Sequence, residues 1–129
     1  MFKNTPSFSS FSVKDIIIAE DFYGDTLGLQ VSTNKMGMLI VTLASGATIM
    51  MYPKLDHQAA TFTLLNFQVA DLDKTVDKLI EKGIVFEQYD TEYMKTDEKG
   101  IVRSPDPSKG PNIAWFKDPS GNIIAVMED

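Results

Sequence analysis

The chain has 129 residues, of which 43% are hydrophobic and 23% are charged, a balance typical of a soluble globular domain with a core of its own. It contains no cysteine, which excludes a disulfide framework, a thiolate zinc site and a cysteine nucleophile. Its formal net charge of −6 repels phosphate backbones, so we expect no nucleic-acid partner.

The first six residues carry one basic residue and no apolar stretch after it, which is not the pattern of a signal peptide. Residues 36–52 form the most apolar stretch, but it is too short to span a bilayer, and Ser45 and Gly46 interrupt it. We therefore predict a cytoplasmic protein with no membrane partner.

The first half of the chain predicts a strand, a helix and three further strands. Asp15 follows the first strand as a helix N-cap, and Gly28 ends the helix in a left-handed conformation. Gly37 and the pair Ser45 and Gly46 mark turns between the later strands. The predicted strands are residues 8–13, 29–34, 38–43 and 47–52, and the predicted helix is residues 16–26.

The second half predicts the same order of elements. Asp71 is the expected N-cap of a helix that Gly83 ends, and an apolar stripe at helical spacing lies between them. Residues 90–111 form a long polar segment, which is either a lid or interface element or a mobile solvated excursion. The predicted strands are residues 61–69, 84–89, 112–117 and 122–127.

The two halves align with each other by residue type. Residues 13–16 match residues 69–72, and residues 45–47 match residues 120–122, with segment 90–111 absorbing the difference in length. The repeat predicts an α+β fold of two βαβββ modules, residues 6–53 and 61–128, within one domain, 1–129. We expect their curved mixed sheets to surround a concave cavity.

Three segments resemble the vicinal oxygen chelate superfamily, which includes glyoxalases, bleomycin resistance proteins and extradiol dioxygenases. The segments are similar to its first helix, its second helix and its terminal hairpin, and together they span nearly the whole chain. In the hairpin, Asp118 and Pro119 preset a turn, Gly121 permits positive φ, and Asn122 is expected to tolerate unusual dihedral angles. The segments are Asp15-Ile16 with Ala19-Glu20-Asp21-Phe22-Tyr23 and Leu27-Gly28-Leu29; Val69-Ala70-Asp71-Leu72-Asp73 with Leu79 and Lys82-Gly83; and Trp115-Phe116-Lys117-Asp118-Pro119-Ser120-Gly121-Asn122.

The resemblance implies four inward-facing metal-ligand positions, one on the first and one on the last strand of each half. Alignment of the repeat places them at Phe8, Met50, Leu64 and Ala125. Phe, Leu and Ala carry no donor atom, and a lone methionine thioether suits copper(I) better than a hard divalent ion. We therefore predict no metal and no cofactor. The resemblance then favours the metal-free, bleomycin-resistance-like branch.

His57 is the one histidine of the chain, and it lies in the polar connector after the fourth strand. It is either a general base at the cavity mouth or a solvated loop residue, and we favour the solvated residue. No nucleophile, base and acid set is apparent from the sequence, so we assign no catalytic residue.

Strand alternation predicts which other side chains line the cavity. One of two consecutive aromatic residues, Trp115 or Phe116, faces the cavity or its rim, while the other enters the core. Polar uncharged groups alternate with apolar ones along the inward faces, as a site for a small organic ligand requires. The predicted lining residues are Phe8, Ser10, Ser12, Met50, Tyr52, Leu64, Asn66, Gln68, Trp115 and Ala125.

The sequence thus predicts a protein that binds or sequesters a small organic molecule without a metal. The resemblance also implies a homodimer. The alternatives are a metal-dependent lyase, isomerase or dioxygenase of the same superfamily, and a module that binds a protein partner and no small ligand.

Overall fold

The structure of the chain, a computed structural model, describes residues 1–128 apart from the side chain of Pro107. Asp129, the last residue of the predicted domain, lies outside the described residues. The chain divides into two units, Met1–Ala59 and Ala60–Asp129, and each unit contains one four-stranded sheet.

The first unit contains four strands and one helical segment in the order β-α-β-β-β. They are β1 (Ser9–Val13), α1 (Ile16–Glu20), β2 (Gln30–Thr33), β3 (Leu39–Thr42) and β4 (Thr48–Pro53). The strand order in the sheet is β1-β4-β3-β2. Because β1 lies parallel to β4 while β2, β3 and β4 pair antiparallel, the sheet is mixed.

The predicted first helix is present, but its hydrogen bonding changes along its length. Asp15 caps α1, since its side chain accepts hydrogen bonds from the backbone N–H groups of Ile17 (2.9 Å) and Ile18 (3.1 Å). The helix then widens into a π-helical segment, Asp21–Thr26. Gly28 follows with a φ of 73°, the left-handed ending that the sequence predicted.

Burial alternates along the strands of the first unit and gives its sheet a packed face and an open face. Along β4, Ile49 and Met51 are buried, whereas Thr48, Met50 and Tyr52 are half-buried. The packed face forms the core of the unit with α1 and the π-helical segment. The buried apolar residues of this unit are Val13, Ala19, Tyr23, Leu39, Val41, Ile49 and Met51.

The second unit repeats the same order of elements. They are β5 (Thr63–Val69), α2 (Leu72–Glu81), β6 (Ile101–Val102), β7 (Ile113–Lys117) and β8 (Ile123–Glu128), with a short 3₁₀ helix (Pro107–Lys109) before β7. The strand order is β5-β8-β7-β6, with β5 parallel to β8. The predicted α+β fold of two βαβββ modules is therefore confirmed. None of the described helices is long and apolar enough to cross a bilayer.

The second strand of the second unit lies elsewhere than predicted. Residues 84–89 do not form a strand, because only Phe86 makes a bridge, to Phe116. The strand is instead β6, inside the long polar segment of residues 90–111, for which the sequence predicted no strand. The two stretches share the edge of β7: β6 pairs with Ile113 and Ala114, while the Glu87 N–H donates to the Trp115 carbonyl (2.8 Å).

The turn between β7 and β8 is built around a buried carboxylate. Asp118 accepts hydrogen bonds from the backbone N–H groups of Ser120 (2.8 Å) and Asn122 (2.9 Å). It also accepts one from the Asn122 side-chain amide (3.0 Å). Among the described residues only glycines have positive φ, so Asn122 serves the turn as a hydrogen-bond donor and not through a left-handed conformation. Gly121 has a φ of 87°, as predicted.

Candidate functional site

The open face of the first unit carries polar and apolar side chains in register. Ser10 lies opposite Met50 and Ser12 lies opposite Tyr52 across the parallel pair of β1 and β4. Neighbours in one row of a sheet share a face, so these four predicted site residues lie together. Phe8 precedes the first residue of β1, and its side chain is 64% exposed.

His57 lies in the loop after β4, as expected, but it is only partly exposed to solvent. Its ring is half-buried, and its Nδ1 lies 2.6 Å from the Ser12 Oγ. The contact adds His57 to the open face of the first unit, beside a residue predicted to lie there. Sequence reasoning missed the contact because 45 positions separate the two residues.

The open face of the second unit is set by a β-bulge in β5. Thr63 pairs with Ile123 and Leu65 pairs with Ile124, so Leu64 is the extra residue on its strand. Asn66 then lies opposite Ala125, and Gln68 lies opposite Met127. The bulge therefore places Thr63, which the sequence did not single out, in line with Asn66 and Gln68.

The structure resolves which of the two consecutive aromatic residues of β7 faces the core. Phe116 is buried, and its ring meets that of Phe86 edge-on, with 5.5 Å between centroids. Trp115 is half-buried on the opposite face, where its indole N–H donates to the Thr63 hydroxyl (3.2 Å). Trp115 pairs with Ala125 in the sheet, and so lies in the row of Asn66.

Tyr89 extends the aromatic surface around Trp115. The two rings are perpendicular, with centroids 5.7 Å apart and an interplanar angle of 77°. Burial of the phenol, with the Glu87 carboxylate nearby, raises the pKa of Tyr89. Glu87 itself forms an ion pair with Lys117 (3.1 Å). The face thus combines the aromatic pair of Trp115 and Tyr89 with the ion pair of Glu87 and Lys117 and with the side-chain amides of Asn66 and Gln68.

The four positions that the resemblance assigns to a metal do not fit one. Met50 offers a thioether, which lies 3.9 Å from the Asn34 amide nitrogen. Ala125 is fully buried, and neither it, Leu64 nor Phe8 has a donor atom. Within residues 1–128, no three His, Asp or Glu side chains are grouped as a metal site. We therefore derive no chemistry through a metal ion.

An ion-pair cluster in the second unit ties α2 to the residues on either side of β6. Arg103 makes two hydrogen bonds of 2.8 Å to the Asp73 carboxylate and one of 3.2 Å to Asp97. Lys99 bridges Asp73 (3.1 Å) and Asp77 (2.8 Å). A cleft of about 280 Å³ adjoins the cluster, and it is lined by Lys95, Thr96, Asp97, Ile101 and Arg103. Carboxylates already neutralise the Arg103 guanidinium in this cleft.

This cluster predicts a specific pH dependence for the Asp73→Asn variant. Hydrogen bonds from Arg103 and Lys99 hold the pKa of Asp73 well below its usual range. A depressed folded-state pKa stabilises the fold above the unfolded-state pKa of about 3.9, and this contribution is lost as the pH falls further. Because the Asp73 side chain is 45% exposed, we expect Asp73→Asn to lower the free energy of unfolding by at most about 1 kcal/mol at pH 7.

Urea unfolding at pH 7, 4 and 3 measures this effect. The difference in the free energy of unfolding between the wild-type protein and Asp73→Asn should shrink as the pH falls below about 4. Asp90→Asn, which changes an exposed carboxylate of the same unit, is the control. A difference that stays constant across this range would contradict the assignment.

Comparison with known proteins places the chain in a family. The family model of the Glyoxalase/Bleomycin resistance protein/Dioxygenase superfamily matches residues 9–126. The uncharacterized protein YraH of Bacillus subtilis (strain 168) is 30% identical over 130 aligned positions, which cover 90% of this chain and 91% of YraH. The chain belongs to the Glyoxalase/Bleomycin resistance protein/Dioxygenase superfamily.

Solved structures share this fold at low sequence identity. A glyoxalase family protein from Enterococcus faecalis matches with a TM-score of 0.67 and 19% identity, covering 99% of this chain and 100% of that chain. A superfamily member from Sphaerobacter thermophilus also gives a TM-score of 0.67 at 19% identity, with 96% and 98% covered. At this identity the likeness shows the fold alone.

Proposed function

We propose that this superfamily member binds a small organic ligand without a metal ion, in the manner of the bleomycin-resistance-like branch. The observation that carries the proposal is the chemistry of the four ligand positions, which are Phe8, Met50, Leu64 and Ala125. Side chains without hard donors cannot polarise substrate oxygens through a divalent ion. The open faces remain suited to non-covalent binding.

The open face of the second unit supports a ligand with a planar group. Trp115 and Tyr89 provide aromatic surface, on which a flat ring can stack or rest edge-on. Asn66 and Gln68, which are both exposed, provide amide donors and acceptors near this surface. A few fixed polar groups on an apolar surface set the orientation of a bound molecule.

The open face of the first unit supports a ligand with apolar and hydrogen-bonding parts. Met50 is half-buried and unbranched, so it can adapt to differently shaped molecules. Tyr52 and Ser12 add hydroxyl groups in the adjoining row. The ten predicted site residues fall five in each unit. We propose the exposed and half-buried ones as ligand contacts, whereas Ala125 is fully buried and lies between Asn66 and Trp115 in their row.

The fluorescence of Trp115 tests the proposal directly, because it is the one tryptophan of the chain. We expect saturable changes in its emission when planar heteroaromatic compounds are titrated in the presence of a chelator. Tyr89→Leu should weaken the binding of such a compound by about two- to twelvefold, since an aromatic pair contributes about 0.5–1.5 kcal/mol beyond its buried area.

Tyr93→Leu is the matched control, because it makes the same change four positions further along the chain, at a side chain that is 92% exposed. Equal effects of the two substitutions would argue against the aromatic surface as the binding site. If no compound in a broad library changes the emission or the unfolding temperature, a module that binds a protein partner becomes the better hypothesis.

A further inference from the structure

The contact between Ser12 and His57 has the geometry of a nucleophile and its base. The Ser12 Oγ lies 2.6 Å from the His57 Nδ1, at the short end of hydrogen-bond distances. Hydroxyl and imidazole within this reach are the first two parts of the arrangement that activates a serine. Both side chains are half-buried, so each remains partly open to solvent.

Backbone pairing at the end of β1 brings the two residues together. Val13 lies opposite Pro53 in the parallel pair, and the Lys54 N–H then donates to the Val13 carbonyl (3.0 Å). The chain turns, and the His57 N–H donates to the Lys54 carbonyl (3.0 Å). Lys54 also holds Asp56 through an ion pair of 2.8 Å. Backbone hydrogen bonds therefore hold the backbone of the connector that carries His57 next to the end of β1.

We propose that Ser12 is a nucleophile that His57 activates as a general base, and that the pair reacts with electrophilic acyl or phosphonyl compounds. In the neutral tautomer with its proton on Nε2, His57 accepts the Ser12 hydroxyl proton at Nδ1. The Oγ forms a bond to the carbonyl carbon or to phosphorus. The bond to the leaving group breaks, and the leaving group takes the proton from the imidazolium.

An acyl product on Ser12 is released by water. The imidazole takes a proton from the attacking water molecule, which forms a bond to the acyl carbon, and the ester bond to Oγ breaks. Ser12 regains its proton from His57, and a carboxylic acid leaves. No oxidant, metal or cofactor takes part, so atoms and electrons balance with water as the co-reactant. A phosphonyl adduct resists this second step and accumulates, which makes it the better probe.

Labelling of the 129-residue chain with a fluorophosphonate, followed by peptide mass spectrometry, tests the proposal. We expect an adduct on Ser12 that Ser12→Ala abolishes and that His57→Gln slows at least about a hundredfold, the low end of what a general base contributes. Ser9→Ala, which removes an exposed hydroxyl from the opposite face of the same strand, should label like the wild-type protein.

An absent adduct, an adduct on another residue, or equal labelling of His57→Gln would overturn the proposal. In those cases the pair is only a tether between the connector and β1, which a lower unfolding temperature of His57→Gln would show. Circular dichroism establishes that each variant is folded.

Because the chain has no cysteine, Ser12→Cys and Ser10→Cys give a second test that leaves His57 in place. Iodoacetamide should alkylate Ser12→Cys faster than Ser10→Cys if the imidazole acts as a base. Ser10 is exposed and Ser12 is only half-buried, so exposure alone predicts the opposite order. A slower reaction of Ser12→Cys would contradict the proposal even if His57→Gln fails to fold.

Discussion

Replacing Asp118 with alanine is expected to lower the free energy of unfolding by about 3 kcal/mol. Asp118 is 4% exposed, and its carboxylate accepts hydrogen bonds from the backbone N–H groups of Ser120 and Asn122 and from the Asn122 side-chain amide. Hydrogen bonds to a charged group contribute about 1.5–3 kcal/mol each, and their loss leaves buried donors without a partner. Asn122 is itself 2% exposed, so water replaces these bonds poorly.

Urea unfolding of Asp118→Ala and Asp71→Ala measures the effect against a matched control. Asp71 belongs to the same unit and accepts a hydrogen bond from the Lys74 N–H (3.0 Å), but it lies exposed at the start of α2. An exposed N-cap contributes about 1 kcal/mol. Equal losses for the two variants would show that the turn does not depend on its buried carboxylate.

Replacing Gly100 with alanine is expected to destabilise the protein by about 3 kcal/mol. Its φ of 89° disfavours any residue with a Cβ, at about 1–2 kcal/mol. A Cβ there would also lie 2.7 Å from the Phe86 Cβ and 3.1 Å from the Glu87 carbonyl oxygen, closer than van der Waals contact allows. Such overpacking typically adds about 1–3 kcal/mol.

Gly83→Ala separates the two causes. Gly83 has a similar φ of 94°, but a Cβ there would meet nothing within 4 Å. We expect it to lose about 1 kcal/mol, the conformational part alone. Urea unfolding measures the free energy of unfolding of both variants. The extra loss in Gly100→Ala measures the effect of the close contact between a Cβ at position 100 and residues 86–87. If the two losses are equal, residues 86–87 do not pack against Gly100 as described.

Local signals predicted much of the fold correctly. The N-caps Asp15 and Asp71 and the left-handed glycines Gly28 and Gly83 lie where the sequence placed them, because each acts through neighbouring backbone groups. The prediction of a strand at residues 84–89 was wrong because strand pairing depends on residues distant in the sequence. Which stretch pairs with the edge of β7 depends on a competition with β6, and no local pattern encodes that choice.

The candidate site was predicted in part. Strand alternation placed Ser10, Ser12, Asn66 and Gln68 in rows that the pairing of the strands reproduces. Alternation cannot foresee a bulge, so the sequence did not identify Thr63 as a neighbour of Trp115. It also gave no sign of the contact to His57, which depends on the turn after β4.

The metal content of protein purified without chelators is the most direct test of this account. Phe8, Met50, Leu64 and Ala125 supply no hard donor, so inductively coupled plasma mass spectrometry should find divalent metal far below one ion per chain. A stoichiometric divalent ion that survives dialysis would contradict the account. The metal-dependent enzymes of the superfamily would then be the better guide to what this chain does.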